Sequence, residues 1–364
     1  MRVARIEPLA FRNLAERPVE FGPGLTVLHG PNGAGKTNLL EALFFALTGR
    51  SCRTRRERET IRFGAALSRV EARLEPDRGE AGAEPMAMLA SVSSGEARRR
   101  LVDGQPARPE DDRRRPALSV FMPDRLALVK GPPAPRRAHL DRLAAALWPA
   151  RAELRRTYSQ ALAQRNALLA RARRGGGEST LDAWDRELAE RAAPLVEARA
   201  EAAAELTAPF ADAAAELGLA GGAALAYRPR TGDLDAEGIA AELAERRRGE
   251  VERGFSGYGP HRDEVELSFG DRSLRRYGSQ GQQRLGLLAL LFAEREVLRR
   301  ARRQLPLMLL DDVMSELDPE RRGRLVAMLE GEGQALITAT EAAQVPAAGA
   351  RELAITGGAA EETA

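Results

Sequence analysis

The run Gly30-Pro-Asn-Gly-Ala-Gly-Lys-Thr37 constrains this chain more than any other feature, because the spelling G-x-x-x-x-G-K-T calls for a strand before it and a helix after it. Leu25-Thr-Val-Leu-His29 alternates and carries β-branched residues, so it reads as the entering strand. Asn38 to Leu47 is apolar nearly all round and reads as a buried helix, with Gly49 placed to end it. Gly30, Gly33 and Gly35 let the backbone curl until its N–H groups and the helix N-terminus converge, the geometry that binds phosphate. The base composition of the side chains agrees. The chain has 56 basic residues, and all but Lys36 and Lys130 are arginine. An ammonium is a compact point charge whereas a guanidinium is a broad fork, so a lysine retained here points to phosphate oxygens. The expected nucleotide site is Gly30, Pro31, Asn32, Gly33, Ala34, Gly35, Lys36, Thr37 and Asn38, with Lys36 on the β/γ-phosphates and the Thr37 hydroxyl on Mg²⁺.

With 364 residues the chain has room for two domains, or for one domain with a large insertion. A formal charge of +3 permits nucleic-acid binding where arginines gather on one face, and does not by itself require it. Cys52 is the only cysteine, which excludes an intrachain disulfide and suits a reducing cytosol. The N-terminus lacks the apolar core of a signal peptide, and the longest apolar stretch, Leu285 to Ala293, is too short to span a bilayer. A cytoplasmic protein without a membrane segment is expected.

The pattern along the chain is α/β. Strands are expected at Val3 to Phe11, Leu25 to His29, Val70 to Leu74, Ala87 to Ser93, Arg99 to Val102 and Ala117 to Met122, with Asp103-Gly104 as a hairpin turn and a mobile loop at Glu75 to Glu84. From Arg136 the spacing turns helical: Arg136 to Ala146, Arg151 to Arg173, Thr180 to Leu217 and Ala236 to Arg248, with a loop at Arg174 to Glu178. Pro194 and Pro209 should kink or break the third of these. Strands and helices alternate again from Gly254. The expected organisation is a split nucleotide-binding head, 1–122 and 250–356, around a helical insertion, 123–249, with a disordered tail at 357–364. Roughly 240 residues separate Thr37 from Ser279 and no heptad pattern runs through them, so no long coiled coil is expected.

Three further motifs fit a nucleotide site. Leu307-Met-Leu-Leu-Asp311-Asp312 is an apolar strand ending in two acids; beside a phosphate loop, Asp311 would hold Mg²⁺ opposite Thr37 and Asp312 would activate the attacking water. Tyr277-Gly-Ser-Gln-Gly-Gln-Gln-Arg284 precedes a long helix and would present a second anion-binding terminus through Ser279, Gly281 and Gln282. Ser315-Glu-Leu-Asp318-Pro-Glu320 reads as a helix start and supports the series. Phosphate loop, insertion, Ser-Gln-Gly-Gln, Asp pair and Ser-x-Leu-Asp is the order found in ABC-type ATPases.

Within that class the chain resembles the RecF family of bacterial recombination mediators over essentially its whole length. The resemblance rests on Phe11-Arg-Asn-Leu14, the phosphate loop through Ala42, Gly49-Arg-Ser-Cys-Arg-Thr54 and Phe121-Met-Pro-Asp-Arg-Leu126. It continues through Lys130 to Asp141, Ser256-Gly-Tyr-Gly-Pro-His-Arg-Asp263, Gly278 to Arg284 and Leu309 to Asp318. It implies an ABC-type head with a helical second lobe, an ATP-dependent homodimer, DNA binding, and work with RecR and RecO to place RecA at single-strand gaps. It also implies that Arg12 and Asn13 approach the nucleotide, that Ser279 completes the site of the other protomer, and that Asp312, standing where most ABC ATPases have Glu, hydrolyses ATP slowly. No histidine follows Gln334 to Ile337, which leaves Thr338 or Thr340 for the γ-phosphate, and no Gln loop appears near Phe121 to Leu126. A transporter's ATPase subunit would usually carry both; an SMC-type tether would need long arms. Among the arginine runs, Arg53, Arg55, Arg56 and Arg58 are the expected DNA contacts, made mainly to phosphates because aromatics are only 4% of the chain.

Overall fold

A helix that is apolar on every side must be covered on every side, and two sheets do this for Lys36–Thr48. The computed structural model describes residues 1–77, 84–95, 98–176, 180–219, 221–232, 235–330 and 333–363. It divides into two compact units, Met1–Arg125 with Leu298–Ala364, and Leu126–Val297. In the first unit, a six-stranded sheet runs in the order Ala359–Glu362, Arg351–Thr356, Leu25–His29, Ala335–Ala339, Leu307–Leu310, Leu118–Phe121. Its strands are parallel except for the hairpin at the Ala359–Glu362 edge. Leu307–Leu310 and Ala335–Ala339 are buried at every position, as expected of central parallel strands covered on both faces.

The other sheet is antiparallel: Val19–Glu20, Arg2–Leu9, Leu67–Glu75, Met86–Ser93, Arg99–Val102, Gln105–Pro106. Leu67–Glu75 alternates buried and exposed, so one face packs on the helix and the other carries charge. Leu39, Leu40, Leu43, Phe45 and Leu47 join one core with Ile6, Val70 and Met88 of this sheet and Leu28, Leu309 and Leu336 of the parallel one. Burying each such side chain contributes about 1.5–3 kcal/mol, and Phe11 packs on Phe45 with ring centroids 5.5 Å apart. The buried Gln334 side chain links the sheets' ends, accepting from Val3 N at 2.8 Å and donating to Val3 O at 2.7 Å and Gly22 O at 2.8 Å. The Asp103-Gly104 turn has positive φ at both residues, 49° and 77°, the backbone a two-residue hairpin needs.

The second unit packs helices Pro133–Leu147, Leu154–Ala172, Leu181–Glu216 and Ala236–Arg253 with a three-stranded antiparallel sheet of Ala223–Arg228, Glu264–Phe269 and Arg272–Ser273. Its interior combines an apolar cluster, with Leu188, Leu195, Ile239 and Leu243, and buried ion pairs. Arg165, fully buried, donates to Asp185 Oδ1, Glu250 Oε2 and Ser256 Oγ, each at 2.6 Å. Arg199 donates to Asp141 Oδ1 at 2.7 Å and Asp263 Oδ2 at 3.0 Å, and Tyr227 OH and the Arg230 amide also donate to Asp263. These bonds fix the Ser256–Asp263 segment. Among the described residues, no helix is long and apolar enough to cross a membrane.

Three expectations are corrected. Of the kink or break expected at Pro194 and Pro209, the break does not occur: the helix Leu181–Glu216 is continuous, because packing against the flanking helices and Ala223–Arg228 outweighs the bond each proline removes. The insertion does not end at 249: Ala223–Arg228, between two expected helices where no strand was expected, pairs with Glu264–Phe269, and 250–297 belong to the second unit. Residues 357–363 are not a disordered tail, since Gly357 and Gly358, at φ 57° and 83°, turn the chain back and Ala359–Glu362 pairs with Arg351–Thr356. The loop expected at Glu75 to Glu84 lies mostly outside the described residues, as do 177 and 178 of the expected Arg174 to Glu178 loop.

His261 lies in the fixed segment, accepting from Tyr158 OH at Nδ1 (2.7 Å) and donating from Nε2 to Ser256 O (3.0 Å). Burial, opposed by the bond to Ser256 O and aided by Arg262, Arg137 and Arg165, lowers its pKa from 6.5 to about 4. The unfolded chain therefore binds this proton below 6.5 and the folded chain only near 4, so stability is full above 6.5 and falls across that window. Urea midpoints should drop as pH goes from 6.5 to 4, and His261→Gln should flatten that part of the curve. An unchanged slope would assign the loss to other groups.

Candidate nucleotide-binding site

The parallel register places the ends of three strands side by side: Ala339 pairs with His29, and Leu310 with Ile337. Gly30, Asp311 and Thr338 thus gather at the carboxyl edge of the sheet, where open α/β sheets bind ligands. Gly30 has φ 149°, and a Cβ there would lie 3.3 Å from the Ile355 carbonyl carbon and closer still to its oxygen, so only glycine fits. The loop then enters Lys36–Thr48, whose first turn contains no acidic residue. A cleft of about 340 Å³ opens before it, walled by Asn32, Gly33, Gly35, Lys36, Thr37, Asn38, Arg53, Pro123, Asp311, Asp312, Thr338 and Thr340.

Lys36 Nζ donates to Gly30 O at 2.6 Å and Pro31 O at 3.0 Å, which holds the ammonium against the loop. Burial lowers its pKa, and the Asp311 and Asp312 carboxylates partly offset that. Thr37 Oγ1 donates to both oxygens of Asp311, at 2.8 and 3.0 Å, so the expected metal pair is in direct contact. Burial raises the Asp311 pKa, while the hydroxyls of Thr37 and Thr338 work against it. One hydroxyl and one carboxylate on a polar cleft match the few protein ligands that Mg²⁺ takes when phosphates and water complete its shell.

Thr338 joins the two acids. Its Oγ1 donates to Asp311 Oδ1 at 2.9 Å and accepts from the Asp312 amide at 2.8 Å. Asp312 holds φ 49°, a left-handed conformation costly for a non-glycine residue, and its exposed carboxylate faces the cleft. Thr338 is therefore committed to the acids. Thr340, partly exposed in the wall, is the one free to meet a ligand, its hydroxyl accepting from Gln344 Nε2 at 2.7 Å.

Arg12 and Asn13 differ in their roles. Asn13 supports the loop, donating from Nδ2 to Gly33 O at 3.1 Å and accepting from Asn38 Nδ2 at 2.7 Å. Arg12, expected to approach the nucleotide, donates to Glu41: Nε and Nη2 reach its two oxygens at 3.1 and 3.0 Å. Glu41 is 0% exposed on the otherwise apolar helix, and Ser51 Oγ donates to it at 2.5 Å. A buried carboxylate needs such partners, which is the physical reason for the Arg12 and Ser51 contacts. Nothing in the helix's apolar pattern marks Glu41 as a hub, although a lone acid on a buried helix is the signal that could have found it.

Arg53 is one of the arginines expected to meet DNA. It lines the nucleotide cleft and donates to Asn38 Oδ1 at 2.9 Å and Glu41 Oε2 at 3.4 Å. Arg55, Arg56 and Arg58 remain exposed, and among the described residues no carboxylate lies within ion-pair distance of them. Members of other arginine runs are engaged within the fold: Arg100 and Arg115 pair with Asp112, Arg247 with Asp182 and Asp185, and Arg246 stacks on Tyr258. Ser279, Gly281 and Gln282 belong to the second unit. There Ser279 caps the helix Gln280–Arg302 reciprocally, its Oγ accepting from Gln282 N at 3.2 Å and its amide donating to Gln282 Oε1 at 2.9 Å.

The sequence model described as the RecF/RecN/SMC N terminal domain matches residues 2–357. The DNA replication and repair protein RecF of Streptomyces avermitilis is 38% identical over 361 residues, covering 95% of each chain. That of Anaeromyxobacter sp. is 40% identical over 362 residues, covering 96% of this chain and 95% of its own. The chain belongs to the RecF family. A structure of the recombination mediator protein RecF with ATP in the RecFOR pathway superposes with a TM-score of 0.86 at 26% identity, covering 100% of this chain and 97% of that one. An SMC head bound to a winged-helix domain of ScpA shares the fold at a TM-score of 0.61 and 16% identity. The RecF-family head without a long coiled coil is thus the fold of this chain.

Arg12→Ala should destabilise the protein by about 1–3 kcal/mol, the scale for removing one partner of a buried group, since Glu41 then keeps only Ser51 Oγ and the 3.4 Å contact of Arg53. Adding Glu41→Gln should recover much of that loss. Urea denaturation of the two single variants and the double variant checks this, and additive losses would mean that Arg12 does not act through Glu41.

Proposed function

We propose that this chain is an ATP- and Mg²⁺-binding, slowly hydrolysing DNA-binding protein of recombination and repair that acts in the cytoplasm. The observation that carries the reading is the contact of Thr37 with both oxygens of Asp311 beneath a lysine-bearing phosphate loop. Lys36 and the loop amides hold the phosphates; Thr37 and Asp311 hold Mg²⁺, which supplies charge neutralisation when bound. Asp312 takes the proton of the attacking water, and Thr338 orients it through its amide. Arg53 and Thr340 stand in the cleft to meet phosphate oxygens. ATP joins two copies, with Ser279 of each, and the helix terminus at Gly281 and Gln282, reaching the nucleotide of the other. Arg55, Arg56 and Arg58 contact DNA phosphates, a salt-sensitive and sequence-tolerant mode. Family membership supports work with RecR and RecO to promote RecA loading at single-strand gaps.

Lys36→Met should abolish ATP binding with the fold intact, and Lys36→Arg should fail at turnover because the planar fork does not fit between phosphate oxygens. Binding of a fluorescent ATP analogue and phosphate release measure the two effects; normal turnover in Lys36→Arg refutes the assignment. Asp312→Asn should still bind ATP and lower hydrolysis about 10²-fold or more, the scale of a lost general base. Light scattering with ATP should then report a dimer that persists, whereas parental turnover would remove Asp312 from the mechanism.

A further inference from the structure

The last described residues lie against the nucleotide loop. Gly357 and Gly358 turn Arg351–Thr356 into Ala359–Glu362, and the turn inserts between Phe11 to Ala15 and the phosphate loop. Gly358 donates from its amide to Ala34 O at 2.8 Å, and its own carbonyl accepts from Ala15 N at 2.8 Å. A Cβ on Gly358 would lie 2.9 Å from both the Asn13 carbonyl carbon and Leu14 Cα, and closer to Asn13 O, all of it backbone that cannot rotate away. Asn13 is the residue whose side chain ties Gly33 O to Asn38. On the other side of the loop, Gly30 abuts the Ile355 carbonyl of the same hairpin. The loop is therefore gripped at Gly30 and at Ala34 by one hairpin, and at Gly33 by a side chain which that hairpin backs.

We infer that the C-terminal hairpin is a brace for the phosphate loop and that Gly358 is a positioning residue for nucleotide binding. A loop that binds through converging backbone amides loses affinity when its carbonyls are free to rotate, since carbonyl and amide turn together in one peptide plane. The brace fixes the Ala34 carbonyl from outside, so the amides beyond it stay aimed at the phosphates. By linkage, a nucleotide that orders the loop also orders the hairpin. This inference rests on the reading of the cleft as an ATP site.

The test compares Gly358→Ala with Gly357→Ala. Both place a side chain in left-handed backbone within one turn, but a Cβ at Gly357 meets nothing within 4 Å. At equal thermal midpoint, Gly358→Ala should bind mant-ATP with Mg²⁺ about tenfold or more weakly than Gly357→Ala, the scale of a small misplacement of binding groups. Equal affinities of the two variants would overturn the brace. Should Gly358→Ala not fold, hydrogen exchange of the unmodified chain decides: mant-ATP with Mg²⁺ should slow exchange across 357–363 together with the loop, and unchanged exchange there overturns the inference. Absence of binding to the parent sinks the ATP reading and the brace with it, whereas parental binding with an unaffected Gly358→Ala sinks the brace alone.

Discussion

The burial of Lys36–Thr48 between two sheets is the constraint on which the first unit depends. Leu39, Leu40, Leu43, Phe45 and Leu47 leave the helix no side that water can face, so one sheet must cover it from each flank. Once it is covered, its N-terminus can open only at the carboxyl edge of the parallel sheet. Thr37 then meets Asp311, and the Gly30–Thr37 loop has one path from strand to helix. The site is thus a by-product of packing: the hydrophobic core sets the axis, and the axis aims the amides.

A chain rich in arginine must decide where that charge goes, and much of it goes inward. Arg165 and Arg199 form ion pairs inside the second unit, and Arg12 and Arg53 neutralise Glu41 behind the phosphate loop. Each of these buried charges meets two opposite charges, and desolvation offsets much of the attraction, so the contacts specify geometry more than they add stability. Arg55, Arg56 and Arg58, by contrast, stay exposed, with no carboxylate within ion-pair distance among the described residues. Charge runs read alike in a sequence, and ion pairing across tens of residues is what tells them apart.

Much of the head was legible because its signals are local. The strand Leu25–His29, the hairpin turn Asp103-Gly104 and the helix after the loop follow from periodicity, a two-residue turn code and apolar content over a few residues. Misreadings occurred where a distant partner decides. Ala223–Arg228 is a strand because Glu264–Phe269 pairs with it, and Leu181–Glu216 survives two prolines because neighbours pack along it. Residues 357–363 are polar and small, which reads as a tail, yet an edge strand beside them supplies the hydrogen bonds that the segment lacks alone.

Sequence by itself determined the phosphate loop, the identity of the acids that meet it and the RecF-family order of motifs, since each depends on residue type at fixed local spacing. Tertiary structure decided how those residues divide the work. Arg12 went to Glu41 and Arg53 to the cleft, Thr338 was taken up by the acid pair, and Gly358 came to rest on the loop from more than three hundred residues away in the chain. Such assignments depend on which buried charge or carbonyl is left wanting a partner, and that demand exists only after the core has formed.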